Sequence, residues 1–426
     1  MNEVSPPTAR PSQRPASADR TVRGPLNGLR VIELGHFIAA PFATRVLADL
    51  GAEVIKVEPP DGDPARDMGQ SVDGRSIWWS VHARNKKCIT LNLKQPEGRQ
   101  LLRELVRTAD ALVENFRPGQ LEAWGLGFDI LRQIRSDLIL VRITGFGQDG
   151  PYRDKVAFGV IGEALGGIRH LTGYPRDVAD LPPVRVGVSF GDSVAGLYGV
   201  IGLLSALYER SARAGSAEAR CVDVALYEAV FSLMEGALPE YGHLGVVREP
   251  AGSALPTVAP SNTYRSADRH WICVAGNSDR IFVRLMRLID RQDLTEDDRF
   301  RDNQSRLAHR KFLDELIGEW IGARPAGDVE RLLESADVPA SRIYTIADCA
   351  SDPHFKARGM INDFPDPRFG SLLHPGVVPK FADSGPGGGI GWAGPEIGAH
   401  NAEILTGMLG LSDPELERLR QAGVIR

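Results

Sequence analysis

The stretch Leu29-Arg30-Val31-Ile32-Glu33-Leu34-Gly35-His36-Phe37-Ile38-Ala39-Ala40-Pro41-Phe42-Ala43-Thr44-Arg45-Val46-Leu47-Ala48-Asp49-Leu50-Gly51-Ala52-Glu53-Val54-Ile55-Lys56-Val57 sets the fold class. Residues 29–34 are an apolar run of strand length, and residues 35–40 supply a turn. Pro41, whose fixed φ suits the first turn of a helix, opens a helix to Leu50, and residues 53–57 form a second strand. Strand, helix and strand in that order make one β-α-β unit. Working outward, strands are expected at residues 88–93, 111–114 and 138–143, with a helix at residues 97–109. This alternation predicts an α/β fold whose large domain is a doubly wound, Rossmann-like parallel sheet. A further helix at residues 194–207 carries Leu197, Val200, Ile201, Leu203, Leu204 and Leu207. These occupy too many faces for a surface helix, so it is expected to be buried.

Residues 1–25, rich in Pro, Ser, Arg and Ala, cannot bury enough apolar surface to offset their ordering entropy and read as a disordered tail. The large domain begins at residue 26 and its first part extends to residue 215. A linker over residues 216–260 includes a strand at residues 221–225, a helix ending near Met234 and a Pro/Gly-rich boundary. Residues 261–340 are expected to form a smaller α+β domain, with a strand at residues 270–274 and helices at residues 281–288 and 311–321. Residues 341–426 form a linker and a return to the large domain, through a glycine loop at residues 385–389 and a last helix at residues 401–408.

At 426 residues, 42% hydrophobic and 25% charged, the chain is long enough for two or more cores. A net charge of −5 offers no electrostatic footprint for nucleic acid or an anionic membrane, so an anionic ligand must be met by local cations. Cys88, Cys221, Cys273 and Cys349 are scattered, which argues against a disulfide framework and a zinc site; no metal is expected, and a reducing cytoplasm is the expected location. No apolar run approaches the roughly 18 residues that span a bilayer, and no signal peptide is evident.

Three motifs fail on physical grounds. Gly35-His36-Phe37-Ile38-Ala39-Ala40 lacks two glycines of the dinucleotide fingerprint, so a pyrophosphate could not approach the backbone, although Glu58 stands where a ribose-binding acid would. Gly187-Val188-Ser189-Phe190-Gly191 matches the G-x-S-x-G elbow of serine hydrolases, but the approach at residues 181–186 is proline-led and charged where a buried strand is needed. His36, His82 and His170 have no partner at readable spacing and read as satisfied structural residues. Gly191-Asp192-Ser193-Val194-Ala195-Gly196 carries further: a carboxylate at the start of an apolar helix is kept ionised by the helix dipole and free N–H groups. Taken alone, Asp192 reads as an ordinary helix N-cap.

Six ordered motifs change that balance. They are residues 34–41 (Leu-Gly-His-Phe-Ile-Ala-Ala-Pro), 49–58 (Asp-Leu-Gly-Ala-Glu-Val-Ile-Lys-Val-Glu), Arg84-Asn85-Lys86-Lys87, Glu114-Asn115-Phe116-Arg117-Pro118-Gly119, residues 144–151 (Thr-Gly-Phe-Gly-Gln-Asp-Gly-Pro) and Gly191-Asp192. From residue 26 to the end the chain resembles the class III CoA-transferases, and most closely their succinyl-CoA:dicarboxylate branch. The resemblance implies that Asp192 is the covalent catalyst. It also implies that His36, Phe37, Ile38, Ala39, Arg84, Asn85, Lys86, Lys87, Asn115, Phe116, Arg117 and Phe146 line the CoA site. No cofactor is held permanently; a CoA thioester is substrate, and the partners are an acyl-CoA and a carboxylic acid. Arg84, Lys86, Lys87 and Arg117 are the cations expected to meet the CoA phosphates. Arg84, with Arg248 second, is the expected reader of a second carboxylate. The family also implies a ring-like chain in an interlocked homodimer.

The chain departs from formyl-CoA transferases at Pro59 and Ala123, where those enzymes carry CoA-contacting arginines, and at residues 253–262, which replace their glycine loop. A racemase of the same family needs a histidine in a stretch that here reads Ala157-Phe158-Gly159-Val160 and contains none. A non-catalytic CoA-binding protein is the other alternative, and retention of Gly191-Asp192 speaks against it.

Overall fold

The structure, a computed structural model, describes residues 22–213, 218–383 and 385–426. Residues 1–21 of the expected tail and residues 214–217 of the linker region lie outside the described residues. The chain divides into two units: Met1–Ile143, Gly196–Asp223 and Asn362–Arg426 form the first, and Thr144–Ala195 with Val224–Ile361 the second. These bounds cut the chain elsewhere than at residues 215, 260 and 340. The expected linker at residues 216–260 contains the sheet strand Arg220–Ala225 and the helices Leu226–Phe231 and Ala237–Leu244.

A six-stranded sheet, nearly all of it in the first unit, has its strands in the order Lys86–Thr90, Glu53–Glu58, Arg30–Glu33, Ala111–Glu114, Ile139–Thr144 and Arg220–Ala225. The chain steps outward from Arg30–Glu33 in one direction and then returns to build in the other, which is the doubly wound order. Arg30 pairs with Glu53, Val31 with Ala111, Val54 with Lys86 and Ala111 with Ile139, all in parallel register. Successive strand residues point to opposite faces. Ile32, Ile55, Leu112 and Leu140 therefore share a core with Leu101, Leu102, Leu105 and Val106 of helix Pro96–Thr108. The alternate residues Val31, Val54, Val113 and Val141 are buried as well. Strands apolar on both faces are what a sheet covered on both sides requires.

Gly388 explains why the glycine loop is needed. Its φ is +96°, and a side chain there would meet the Asp49 carbonyl at 2.2 Å. Gly389 N–H donates to that same carbonyl at 2.9 Å, so the loop is sealed onto the end of helix Ala39–Asp49.

The second unit contains an antiparallel sheet in which Trp271–Ala275 lies between Ser261–Arg265 and Ala340–Arg342. Ile272 and Val274 pack with Phe282, Leu285 and Met286 of helix Asp279–Leu288 and with Leu313, Ile317 and Ile321 of helix Arg310–Gly322.

Two expectations are corrected at helix Phe190–Ala212. It is long and apolar enough to cross a membrane by length and composition, a property its interspersed glycines and serines hide from a count of consecutive apolar residues. It is also not buried all round: Ala195, Val200 and Leu203 are covered, whereas Leu197, Ile201 and Tyr208 are 45%, 56% and 77% exposed.

Candidate active site

In open α/β sheets, ligands bind beyond the carboxyl ends of the strands where the order reverses. Here that point lies between Arg30–Glu33 and Ala111–Glu114, and the loops leaving these strands carry His36–Phe37 and Asn115–Arg117. The Asn115 side chain accepts from His36 N–H and donates to His36 C=O, both at 2.8 Å. The Phe116 ring stands edge-on to His36 with centroids 5.3 Å apart. Phe37 has a φ of +62°, a conformation that costs a non-glycine residue about 1–3 kcal/mol unless its surroundings enforce it. They do so here. Its N–H donates to Asp63 at 3.1 Å, and its C=O accepts from His82 Nε2 at 2.9 Å. A carbonyl can only accept, so the His82 proton is on Nε2. Burial, reinforced by Lys86 and Arg45, pushes the His82 pKa down to about 3 and keeps the ring neutral.

A fully buried charge cluster supports this loop. Lys56 Nζ lies 2.7 Å from Glu33 and 2.6 Å from Asp63, and Lys86 Nζ lies 2.8 Å from Glu33. Burial alone would raise both carboxyls, but Lys56 and Lys86 outweigh it at Glu33, and Lys56 with the Ala65 N–H at Asp63, bringing each down to about 2. Two cations and two anions balance, which is the condition for charges at zero exposure. Ile38 and Ala39 are buried at the start of the following helix, so their backbone is what they offer a ligand.

The expected cation cluster is largely consumed inside the first unit. Arg84 is bidentate to Asp49 at 2.9 and 2.7 Å and donates to Pro375 C=O at 2.6 Å. Asn85, at φ +63°, bonds Asp49, Gly389 C=O and Gly391 N–H. Lys86 is buried on Glu33 and the Pro41 carbonyl, and Lys87 pairs with Glu53 and Glu403. Arg84 and Lys86 are therefore not available to a phosphate, and Arg84 is not available to a second carboxylate. Arg248, the weaker nominee, is held by Glu235 and Glu240. Arg117 is exposed and has no ion pair among the described residues.

Asp192 belongs to the second unit and is the third residue of helix Phe190–Ala212, one turn inside the position of an N-cap. Its carboxylate rests against Gly159, where any side chain would meet Asp192 Oδ2 at 2.1 Å. Glu163, itself buried, accepts from Gly191 N–H at 3.2 Å. Burial and then Glu163 push the Asp192 pKa up to about 6, with Arg185 pulling the other way. No hydrogen bond to the Asp192 carboxylate is recorded among the described residues. A desolvated carboxylate with free lone pairs is a competent nucleophile once ionised.

The residues 157–160 where a racemase would place its histidine thus abut Asp192, and none is there. The elbow reading fails as well: residues 181–188 form no strand, and Ser189 C=O accepts from Ser193 N–H and Oγ. Phe146 sits among Tyr152 and Tyr227 in the second unit, with centroids 5.8 and 6.2 Å away. The sequence reading missed Asp63, Glu163, Arg169 and Arg185. Only Asp63 carried a local signal, as the cap of the turn Pro64–Asp67, and nothing in that signal reaches Phe37.

The model of CoA-transferase family III matches residues 26–401, and the chain belongs to that family. It is a class III CoA-transferase. It is 47% identical to succinyl-CoA–D-citramalate CoA-transferase of Chloroflexus aurantiacus, over 94% of this chain and 98% of the relative. It is 35% identical to the alpha subunit of succinyl-CoA–L-malate CoA-transferase of Chloroflexus aurantiacus, over 99% and 97%. Identity to formyl-CoA:oxalate CoA-transferase of Streptomyces avermitilis is 33%, over 94% and 99%. Among solved structures, a CaiB/BaiF family protein from Brucella suis matches with a TM-score of 0.77 at 34% identity, over 90% of this chain and 99% of that one.

Proposed function

We propose that this enzyme moves CoA from succinyl-CoA to a dicarboxylic acid of the malate, citramalate, itaconate or glutarate kind, with Asp192 as the covalent carrier. The observation that carries the reading is the Asp192 carboxylate itself, half-buried against Gly159 and free of hydrogen bonds among the described residues. The relatives named for D-citramalate and L-malate transfer support the substrate class. Asp192 attacks the thioester carbonyl, the C–S bond breaks and CoA thiolate leaves, giving a mixed anhydride. The thiolate attacks the aspartyl carbonyl of that anhydride, releasing the donor acid and leaving an aspartyl-CoA thioester. The acceptor carboxylate then attacks the aspartyl thioester, expelling thiolate into a second anhydride. Attack of thiolate on the acceptor's carbonyl yields the new CoA ester and restores Asp192. Every nucleophile is an anion and no net proton is consumed, which fits a site without a histidine at residues 157–160.

The loop of His36 and Phe37, with Asn115, Phe116 and the exposed Arg117, is our CoA-binding surface; Phe37 and Phe116 offer aromatic faces to the adenine. The free cysteines fit a reducing compartment such as the cytoplasm. The test is Asp192→Ala. Transfer from succinyl-CoA to a panel of acids, read by mass spectrometry, should fall on the order of 10⁴-fold or more, while CoA binding persists. Borohydride should trap the aspartyl thioester in the wild type alone. Full activity in the variant would overturn the reading.

A further inference from the structure

Arg169 and Arg185 carry charge that Glu163 does not fully engage. Their nitrogens stand 3.7 and 3.5 Å from Glu163 Oε2, within ion-pair range but long for a hydrogen bond. Neither guanidinium has a recorded hydrogen bond among the described residues, and the buried atoms Arg169 Nη1 and Glu163 Oε2 both lack a hydrogen-bond partner. Arg84, bidentate on Asp49, shows what a saturated arginine in the same chain looks like. A guanidinium has five N–H donors in a planar fork suited to carboxylate. Arg185 follows directly on Val184, whose N–H donates to Thr172 C=O at 2.7 Å. That bond ties its loop to the end of helix Ile168–Leu171, which carries Arg169. Arg185 is 46% exposed along its side chain and accessible; Arg169, at 27%, backs it.

The charges give the site a direction. With Asp192 ionised, Arg169 and Arg185, both within ion-pair range of Glu163, and the two carboxylates sum to zero charge. Acylation of Asp192 removes one negative charge, leaving two cations against Glu163. An additional anion is therefore favoured during the covalent stage of the cycle. The reacting carboxylate is a poor candidate, because a guanidinium would draw on the lone pair it needs for attack. A second carboxylate at the far end of the acyl chain has no such conflict.

We propose that Arg185, backed by Arg169, binds the distal carboxylate of a dicarboxylic acyl group and so selects dicarboxylic over monocarboxylic substrates at Asp192. This rests on the transferase reading of Asp192 and names the group that sets its substrate class.

The test compares isotopically labelled succinate with succinamate, in which an amide replaces one carboxylate, as acceptors from unlabelled succinyl-CoA. Wild type should prefer succinate by roughly tenfold in kcat/KM, the lower end expected of hydrogen bonds to a charged group when the arginine is half-exposed. In Arg185→Gln that preference should fall below about threefold, and Arg185→Lys, which keeps the charge without the fork, should lie between. An unchanged preference in Arg185→Gln, or a wild-type preference near one, overturns the arginine assignment. So does an equal loss with both acceptors, which is what a merely structural role would give. A wild type that transfers no CoA at all overturns the transferase reading instead, so the two failures are separate.

Discussion

Asp192 must be ionised to attack a carbonyl, and its pKa is pushed up to about 6 by burial and by Glu163. The kcat/KM for acyl-CoA should therefore rise with pH through about 6 and level above it. Glu163→Gln removes the repelling neighbour, so the midpoint should move to lower pH; a pH profile of the two proteins with the same midpoint would refute the coupling. The same shift bears on stability. Asp192 is more basic folded than unfolded, so the native state holds the extra proton between about pH 4 and 6, and stability falls as pH rises through that window. The loss is on the order of 2–3 kcal/mol. Asp192→Asn cannot ionise, so it should be more resistant to denaturant than wild type at pH 8 and no more resistant at pH 3. The Gly-Asp pair was legible because a helix start has a local signature. Glu163 was not, because it meets Gly191 only through the packing of Gly159 against the start of another helix.

The loop after the first strand is held by side chains from three other segments, Asn115, Asp63 and His82, which together satisfy the four backbone polar groups of His36 and Phe37. Leaving a buried carbonyl unpaired costs about 1–3 kcal/mol. His82→Ala should let Phe37 relax from its left-handed conformation and raise KM for acyl-CoA about tenfold, with a smaller effect on kcat. Steady-state kinetics on the folded variant decide it: an unchanged KM would mean the loop holds itself. The sheet strands were readable because Ile32 and Val31, Ile55 and Val54 are apolar on both faces. Helix Gly159–Leu165 was not, since its sequence Gly-Val-Ile-Gly-Glu-Ala-Leu has two glycines and no side-chain cap. Strand Ser261–Arg265, reading Ser-Asn-Thr-Tyr-Arg, has too little apolar alternation to show itself.

The parallel sheet was set by local pattern, but the bounds of the two units depend on segments far apart in sequence, such as Asn362–Arg426 joining Met1–Ile143. Burial of a helix likewise depends on everything around it, which is why Phe190–Ala212 was misjudged. Leu197, Ile201 and Tyr208 are spaced by four and seven residues, so they form one stripe, and that stripe is exposed while Ala195, Val200 and Leu203 are covered. An apolar stripe of this kind is stabilised by removing it from water, at about 25 cal/mol per Å² covered. If the chain forms the homodimer that its resemblance to the family implies, a second copy is what would cover this stripe. Light scattering should return twice the chain mass at micromolar concentration, and Ile201→Glu with Tyr208→Glu should shift it toward the monomer. A charge buried at an interface without a partner costs several kcal/mol, so the shift should be large. A wild-type chain that is monomeric when purified alone, and that the double substitution leaves unchanged, would show that no second copy occupies the stripe.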